Sequence, residues 1–157
     1  AFLQRSMPMS PVAHVLVVLV ALLHLGFLVL EMFLWTRPAG LKVFRNTPEK
    51  AAVTRVLAAN QGLYNGFLAA GLLYAVATGS REFAVFFLAC VVMAGAYGAW
   101  SVNKRIFVVQ AMPALAALAA LAWADQRADF GDTHIAMVAR NTTSPAGSST
   151  TTSNGSS

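Results

Sequence analysis

The sequence predicts an all-α fold: a four-helix transmembrane bundle with a short interfacial helix in its first loop and a disordered C-terminal tail. Three observations predict it. The 157-residue chain is 57% hydrophobic and only 11% charged, with a mean hydropathy of +0.62, whereas a soluble domain carries about 25% charged residues. Its apolar residues gather into four stretches, 11–35, 60–78, 83–100 and 106–123, each close to the roughly 20 residues that carry a helix across a bilayer. Trp35, Trp100 and Trp123 close three of them, where interfacial anchors belong.

The elements follow in order. The first apolar stretch exceeds the about 7–15 residues of a signal-peptide core, so a retained helix is expected although the chain opens on Ala1. Its ionisable residues are His14, His24 and Glu31. In the loop 36–59, Thr47-Pro48-Glu49 has the order of a helix start, a hydroxyl cap followed by proline in the first turn. The stretch Lys50–Leu57 is the expected interfacial helix, leading into the second span. Gly79-Ser80-Arg81 reads as a tight turn, and Ser101–Arg105 as a short connection. One domain, residues 1–124, holds the four spans. Residues 125–157 form the tail: Asp125, Arg127, Asp129 and Asp132 make a polar exit, and from Asn141 Ser and Thr dominate, leaving little to bury. The triplets at Asn141 and Asn154 match the N-glycosylation pattern, which arises often by chance in such a tail.

The net charge is +5 and the pI about 10.0. The basic residues sit mostly in the connections, so anionic lipid headgroups rather than nucleic acid are the expected partner. Loops 36–59 and 101–105 hold seven Lys/Arg: Arg37, Lys42, Arg45, Lys50, Arg55, Lys104 and Arg105. The opposite side holds four: Arg5, Arg81, Arg127 and Arg140. The excess places those loops in the cytoplasm and both termini outside. Cys90 lies alone in an apolar run. It can form no intrachain disulfide and reads as a small buried hydrophobe.

Polar side chains inside the spans mark the candidate site, because unpartnered polar groups are costly in lipid. Glu31, Tyr64, Asn65, Tyr97 and Gln110 each lie about one helical turn from the same membrane surface, so an antiparallel bundle brings them to one level. His24 shares a face with Glu31, seven residues and about 10 Å away. Gln61, Tyr64 and Asn65 share a face by three- and four-residue spacing, with Asn60 at the start of the span. The expected ligand-binding set is therefore Glu31, His24, Asn60, Gln61, Tyr64, Asn65, Tyr97 and Gln110. Gly62 with Gly66, and Ala94 with Gly98, form small-residue pairs that let helices approach. Pro113 frees a carbonyl near Gln110 and kinks the last span.

Blander readings stand beside these. Glu31 alternatively reaches headgroup water or pairs with an arginine of the first loop; His14 is interfacial; the amides serve as interhelical glue at about 0.6 kcal/mol per contact. No metal is expected, since His24 and Glu31 are too few for a closed zinc site. Bis-histidine haem within one chain is not expected, because His14 and His24, ten residues apart, point to different faces and no other span has a histidine. No phosphate loop or nucleophile elbow appears. Neither a cofactor nor a catalytic residue is assigned.

The runs His24-Leu-Gly-Phe-Leu-Val-Leu-Glu31-Met-Phe-Leu-Trp35, Lys42-Val-Phe44 and Leu57-Ala-Ala-Asn60-Gln-Gly-Leu-Tyr-Asn65-Gly-Phe-Leu-Ala-Ala-Gly71 resemble the small integral membrane proteins grouped as domain of unknown function 1304. Gln110 with Pro113 is similar to that family's last helix. The resemblance covers roughly residues 10–124. It implies four spans in a plasma membrane. Some members carry the label "epimerase", and this sequence contains no motif for that chemistry. Three hypotheses follow. The chain binds or transports a small polar molecule, a lipid headgroup or a proton; it is a structural or accessory subunit of a membrane complex, or a homo-oligomer; or it is a membrane enzyme using Glu31 and His24 as acid and base.

Overall fold

The computed structural model describes residues 9–101 and 104–143. Arg5, the Asn154 triplet and the tail from residue 144 lie outside the described residues, as do positions 102 and 103 of the third loop. The described residues are all-α: α1 Pro11–Met32, α2 Pro38–Phe44, α3 Pro48–Thr78, α4 Arg81–Ser101, a π turn Phe107–Ala111, and α5 Met112–Thr143.

Local sequence explains the boundaries. Ser10 caps α1, its Oγ accepting the Ala13 amide at 3.2 Å, with Pro11 in the first turn. Thr47 does the same for α3, accepting from the Lys50 amide at 3.3 Å. That helix does not pause at Leu57: the expected interfacial helix and second span are one continuous α3. Gly79 ends it at φ 66°, a left-handed turn that costs glycine nothing. Ser80 then accepts from the Phe83 amide as α4 begins. The predicted turn at 79–81 is therefore present.

Three helical stretches are long and apolar enough to cross a membrane: Pro11–Met32, Arg81–Ser101 and Phe107–Arg127. The sequence predicts four. The missing one is α3, whose membrane-length half carries Gln61, Asn65, two tyrosines and three glycines. The first helix also stops at Met32 rather than Trp35, and the chain turns immediately into α2, an element with no counterpart in the sequence reading.

Within Ala1–Ala124, which forms one unit, α1 packs along α3, α3 along α4, and α4 against the π turn. One apolar core draws on all four long helices: Ala13, Val17, Val20 and Ala21 from α1, Leu72 and Ala75 from α3, Ala84, Leu88 and Val91 from α4, and Ala114, Ala117 and Leu121 from α5. The three- and four-residue spacing within each helix keeps these residues on one stripe. The alanines among them let backbones come close. Gly62 and Gly66 act as predicted: an added Cβ would lie 2.7 Å from Met32 Cγ and 2.5 Å from Leu28 Cδ1, respectively. In α4 the expected Ala94 is exposed. Gly95 takes its place, one residue on, where a Cβ would meet Ala111 Cβ at 2.9 Å.

Pro113 leaves its mark in the preceding turn. Proline has no amide hydrogen to donate. The backbone before it widens, the Met112 N–H reaching back five residues to the Phe107 carbonyl. Such π turns occur often at functional positions. The polar exit after Trp123 does not end the last helix. Asp125–Ser157 forms a unit of its own, and α5 runs helical to Thr143. No proline falls between Ala114 and Thr143, and a change from apolar to polar side chains alters the preferred surroundings without breaking the backbone ladder.

Candidate functional site

Beyond the apolar core, toward the first loop, α1 carries its two buried ionisable side chains. Glu31 lies in the last turn of the helix and retains only 8% of its surface; His24, two turns deeper, retains 0%. Each is held by an amide from another helix. Asn65 Nδ2 on α3 donates to Glu31 Oε2 at 2.8 Å. Gln110 Nε2 in the π turn lies 3.3 Å from His24 Nε2. Because Gly62 admits the end of α1 to within contact of α3, the Glu31 carboxylate reaches Asn65 directly.

The tautomer of His24 follows from its partners. Its Nδ1 lies 2.8 Å from the Val20 carbonyl, and a carbonyl can only accept, so Nδ1 carries the hydrogen. Neutral imidazole then offers Nε2 as an acceptor, to which the Gln110 amide donates. Phe27 stands edge-on to the ring at 5.8 Å. Both ring nitrogens are thereby used.

Glu31 is different. Among the described residues its hydrogen-bond partner is Asn65, and no lysine or arginine pairs with it. The loop arginine that could have neutralised it does not. Arg37, Lys42, Arg45, Lys50 and Arg55 are all exposed on the segment that follows α1.

The expected single polar level is thus divided. Glu31 with Asn65 forms one level and His24 with Gln110 another, about 10 Å apart along α1. Gln110 sits deeper along α1 than its distance from the span's start implies. Tyr64 and Tyr97 face outward, 59% and 66% exposed, against Phe67 and Trp100 respectively. The side chains of Asn60 and Gln61 are also exposed, although the Gln61 carbonyl accepts a second, 3.3 Å contact from Asn65 Nδ2. Helix geometry explains the split: successive residues are turned by about 100°, so Asn65 can face α1 only if Tyr64 does not.

Sequence reading missed the clamp above Glu31. Trp35 is half-buried, donating from Nε1 to Thr54 Oγ1 at 3.1 Å and lying 4.7 Å from the Phe44 ring. Gly40 of α2 fits against the Leu34 carbonyl, where a side chain has no room. Trp35 therefore fastens the start of the loop to α3 instead of standing free at an interface. The available signal was the indole N–H, which needs an acceptor once buried. Trp100 is exposed.

Comparison with known proteins adds a family and no chemistry. No solved structure matches the chain. The chain is 31% identical over 114 residues to "Uncharacterized protein YpaA" of Lactococcus lactis subsp. lactis (strain IL1403), an alignment covering 70% of this chain and 96% of that protein. Residues 18–122, which include His24, Glu31, Asn65 and Gln110, match the family described as "Protein of unknown function (DUF1304)", and the chain belongs to that family.

Proposed function

We propose that the chain is a multi-pass membrane protein that binds a small polar ligand at the Glu31–Asn65 pair. The observation that carries this reading is a carboxylate 8% exposed, inside a helix apolar enough to span a membrane, with an amide for a partner and no cation among the described residues. An ionisable group in such a place is costly, and by default it marks a site for a ligand, an ion or a proton. A small polar molecule, a lipid headgroup and a proton each fit that description.

Four crossings form part of the proposal, with α3 as the second. Its outward positions include Leu63, Phe67, Leu73 and Tyr74, all exposed, a surface suited to acyl chains rather than water. Basic residues concentrated in loops 36–59 and 101–105 favour a cytoplasmic placement for both loops and an outer placement for both termini. Family resemblance favours the plasma membrane.

The test is retention. Wild-type and Glu31→Gln proteins, extracted into native-lipid discs, are compared by mass spectrometry of everything they carry. A species held by the wild type and released by the variant, at unchanged helicity, supports binding. Identical contents, together with identical proton uptake on acidification, would remove the reading.

A second reading has its own observation. Both polar pairs join α1 to a different helix, which is how a packing device or the docking core of an accessory subunit would be built. On that reading the variant changes the melting behaviour and nothing else. The acid–base reading gains less support, because His24 Nε2 is occupied by Gln110 and lies two turns from Glu31.

A further inference from the structure

We infer that the Glu31–Asn65 pair is a cradle for a primary ammonium group carried on a molecule that also bears an anionic group. This rests on the binding reading above and names the chemistry of its ligand. The argument is an inventory of donors and acceptors. An asparagine amide has two N–H donors and one carbonyl. Asn65 Nδ2 directs them to Glu31 Oε2 at 2.8 Å and to the Gln61 carbonyl at 3.3 Å. Its Oδ1 is left as an acceptor, and so is Glu31 Oε1, with no donor to either among the described residues. Glu31 keeps 8% of its surface and Asn65 is half-buried, so the pair is neither flooded nor sealed.

A place that offers only acceptors selects a ligand that brings only donors. A primary ammonium brings three N–H groups and no lone pair. A quaternary ammonium brings the charge without the donors, and a hydroxyl brings an acceptor of its own. The positive charge also compensates the otherwise unpaired carboxylate, whose burial is costly.

The adjoining segment sets the other end of the ligand. Arg37, Lys42, Arg45, Lys50 and Arg55 are exposed there. Their summed field repels a bare cation and attracts an anion. A molecule with ammonium and phosphate, or another anionic group, satisfies both regions. The headgroup of an aminophospholipid and a free aminoalkyl phosphate share that chemistry.

The full chain in phosphatidylcholine discs is titrated by saturation-transfer NMR with phosphoethanolamine, ethanolamine and phosphocholine. Phosphoethanolamine is expected to bind at least tenfold more tightly than phosphocholine, a comparison that needs no variant. Ethanolamine should fall between them, its deficit shrinking at high salt as the basic field is screened. Glu31→Gln should weaken phosphoethanolamine binding at least tenfold, and Asn65→Leu should do the same by removing Oδ1. Exchanging phosphatidylcholine for phosphatidylethanolamine identifies the source. Lost binding of the free probe marks the lipid headgroup as occupant, and undiminished binding marks a soluble ligand; both results uphold the ammonium cradle. Equal affinity for phosphoethanolamine and phosphocholine overturns it, as does binding unaffected by Glu31→Gln. No binding of any probe in either disc also overturns it. If the native-lipid experiment still finds a species released by Glu31→Gln, binding at this pair stands and only the ammonium assignment falls.

Discussion

The helical core is held differently at its two ends. Around residues 13–21 of α1, alanine, valine and leucine from four helices close on one another with no polar partner involved. From residue 24 to the start of the loop at Trp35 the chain meets its neighbours through side-chain hydrogen bonds: His24 and Glu31 of α1 with Gln110 and Asn65, and Trp35, just past the helix, with Thr54. Glycines rather than alanines set the spacing there, with Gly62 against Met32 and Gly66 against Leu28. Apolar packing is collectively strong and undirected; a hydrogen bond between two membrane helices is weak on balance but fixes which atoms meet. The division teaches that one end supplies stability and the other supplies geometry, and that a binding role belongs to the second.

Substitutions sharpen this contrast, beginning with the largest expected effect. Leu88→Ala empties a position with 0% exposure in the apolar end and should cost about 2–5 kcal/mol in reversible unfolding, with ligand retention unchanged in the folded fraction. At the other end, Gly62→Val places a Cβ 2.7 Å from Met32 Cγ and 3.1 Å from Glu31 Cβ. Overpacking of this kind costs about 1–3 kcal/mol. Because the clash lies beside Glu31, the variant should lose retention while still folding. Asn65→Ala and Gln110→Leu each remove one amide, at about 0.6 kcal/mol and at most about 1.7. Asn65→Ala should abolish binding and Gln110→Leu should spare it, although both break a contact to α1. If the two amides matter equally to retention, the division between levels is wrong.

The smallest effect lies at the loop rim. Glu49 accepts from its own backbone N–H and from the Thr47 hydroxyl, which hold its carboxyl below the usual carboxylate range. A depressed carboxyl stabilises the fold above its unfolded value, and that contribution is lost as the pH falls through its folded one. Acidification should therefore loosen the first turn of α3, seen as lower amide protection at Ala51 and Ala52 relative to the intrinsic exchange rate at each pH. Thr47→Ala should produce the same loosening at neutral pH.

Much of this was legible in the sequence, for identifiable reasons. Thr47-Pro48 and Gly79-Ser80 are local signals, and their turns form as read. Glu31, His24, Asn65 and Gln110 stand out because amides and ionisable groups are rare in apolar helices, and all four do find partners. Their pairing was not legible. Counting residues from a span's end assumes a common starting height, and the contact of Gln110 with His24 rather than with Glu31 departs from that count. Tyr64 and Tyr97 were drawn into the site by depth alone, while rotation about the helix axis turns them outward. The continuity of α3 through Asn60 was hidden because composition changes there and backbone conformation does not. Nothing in the spacing of Trp35 and Thr54, nineteen residues apart, announces their contact.

The contact between the Glu31 carboxyl and the Asn65 amide can be measured directly. Solid-state NMR on full-length protein in lipid, with the Glu31 side chain labelled in carbon and the Asn65 amide in nitrogen, reads their dipolar coupling. A strong coupling, matching the 2.8 Å Oε2–Nδ2 hydrogen bond, together with no coupling from Glu31 to any arginine, is the expected result. Loss of the amide coupling, with Glu31 instead close to a guanidinium of the first loop, would contradict a carboxylate kept free for a ligand.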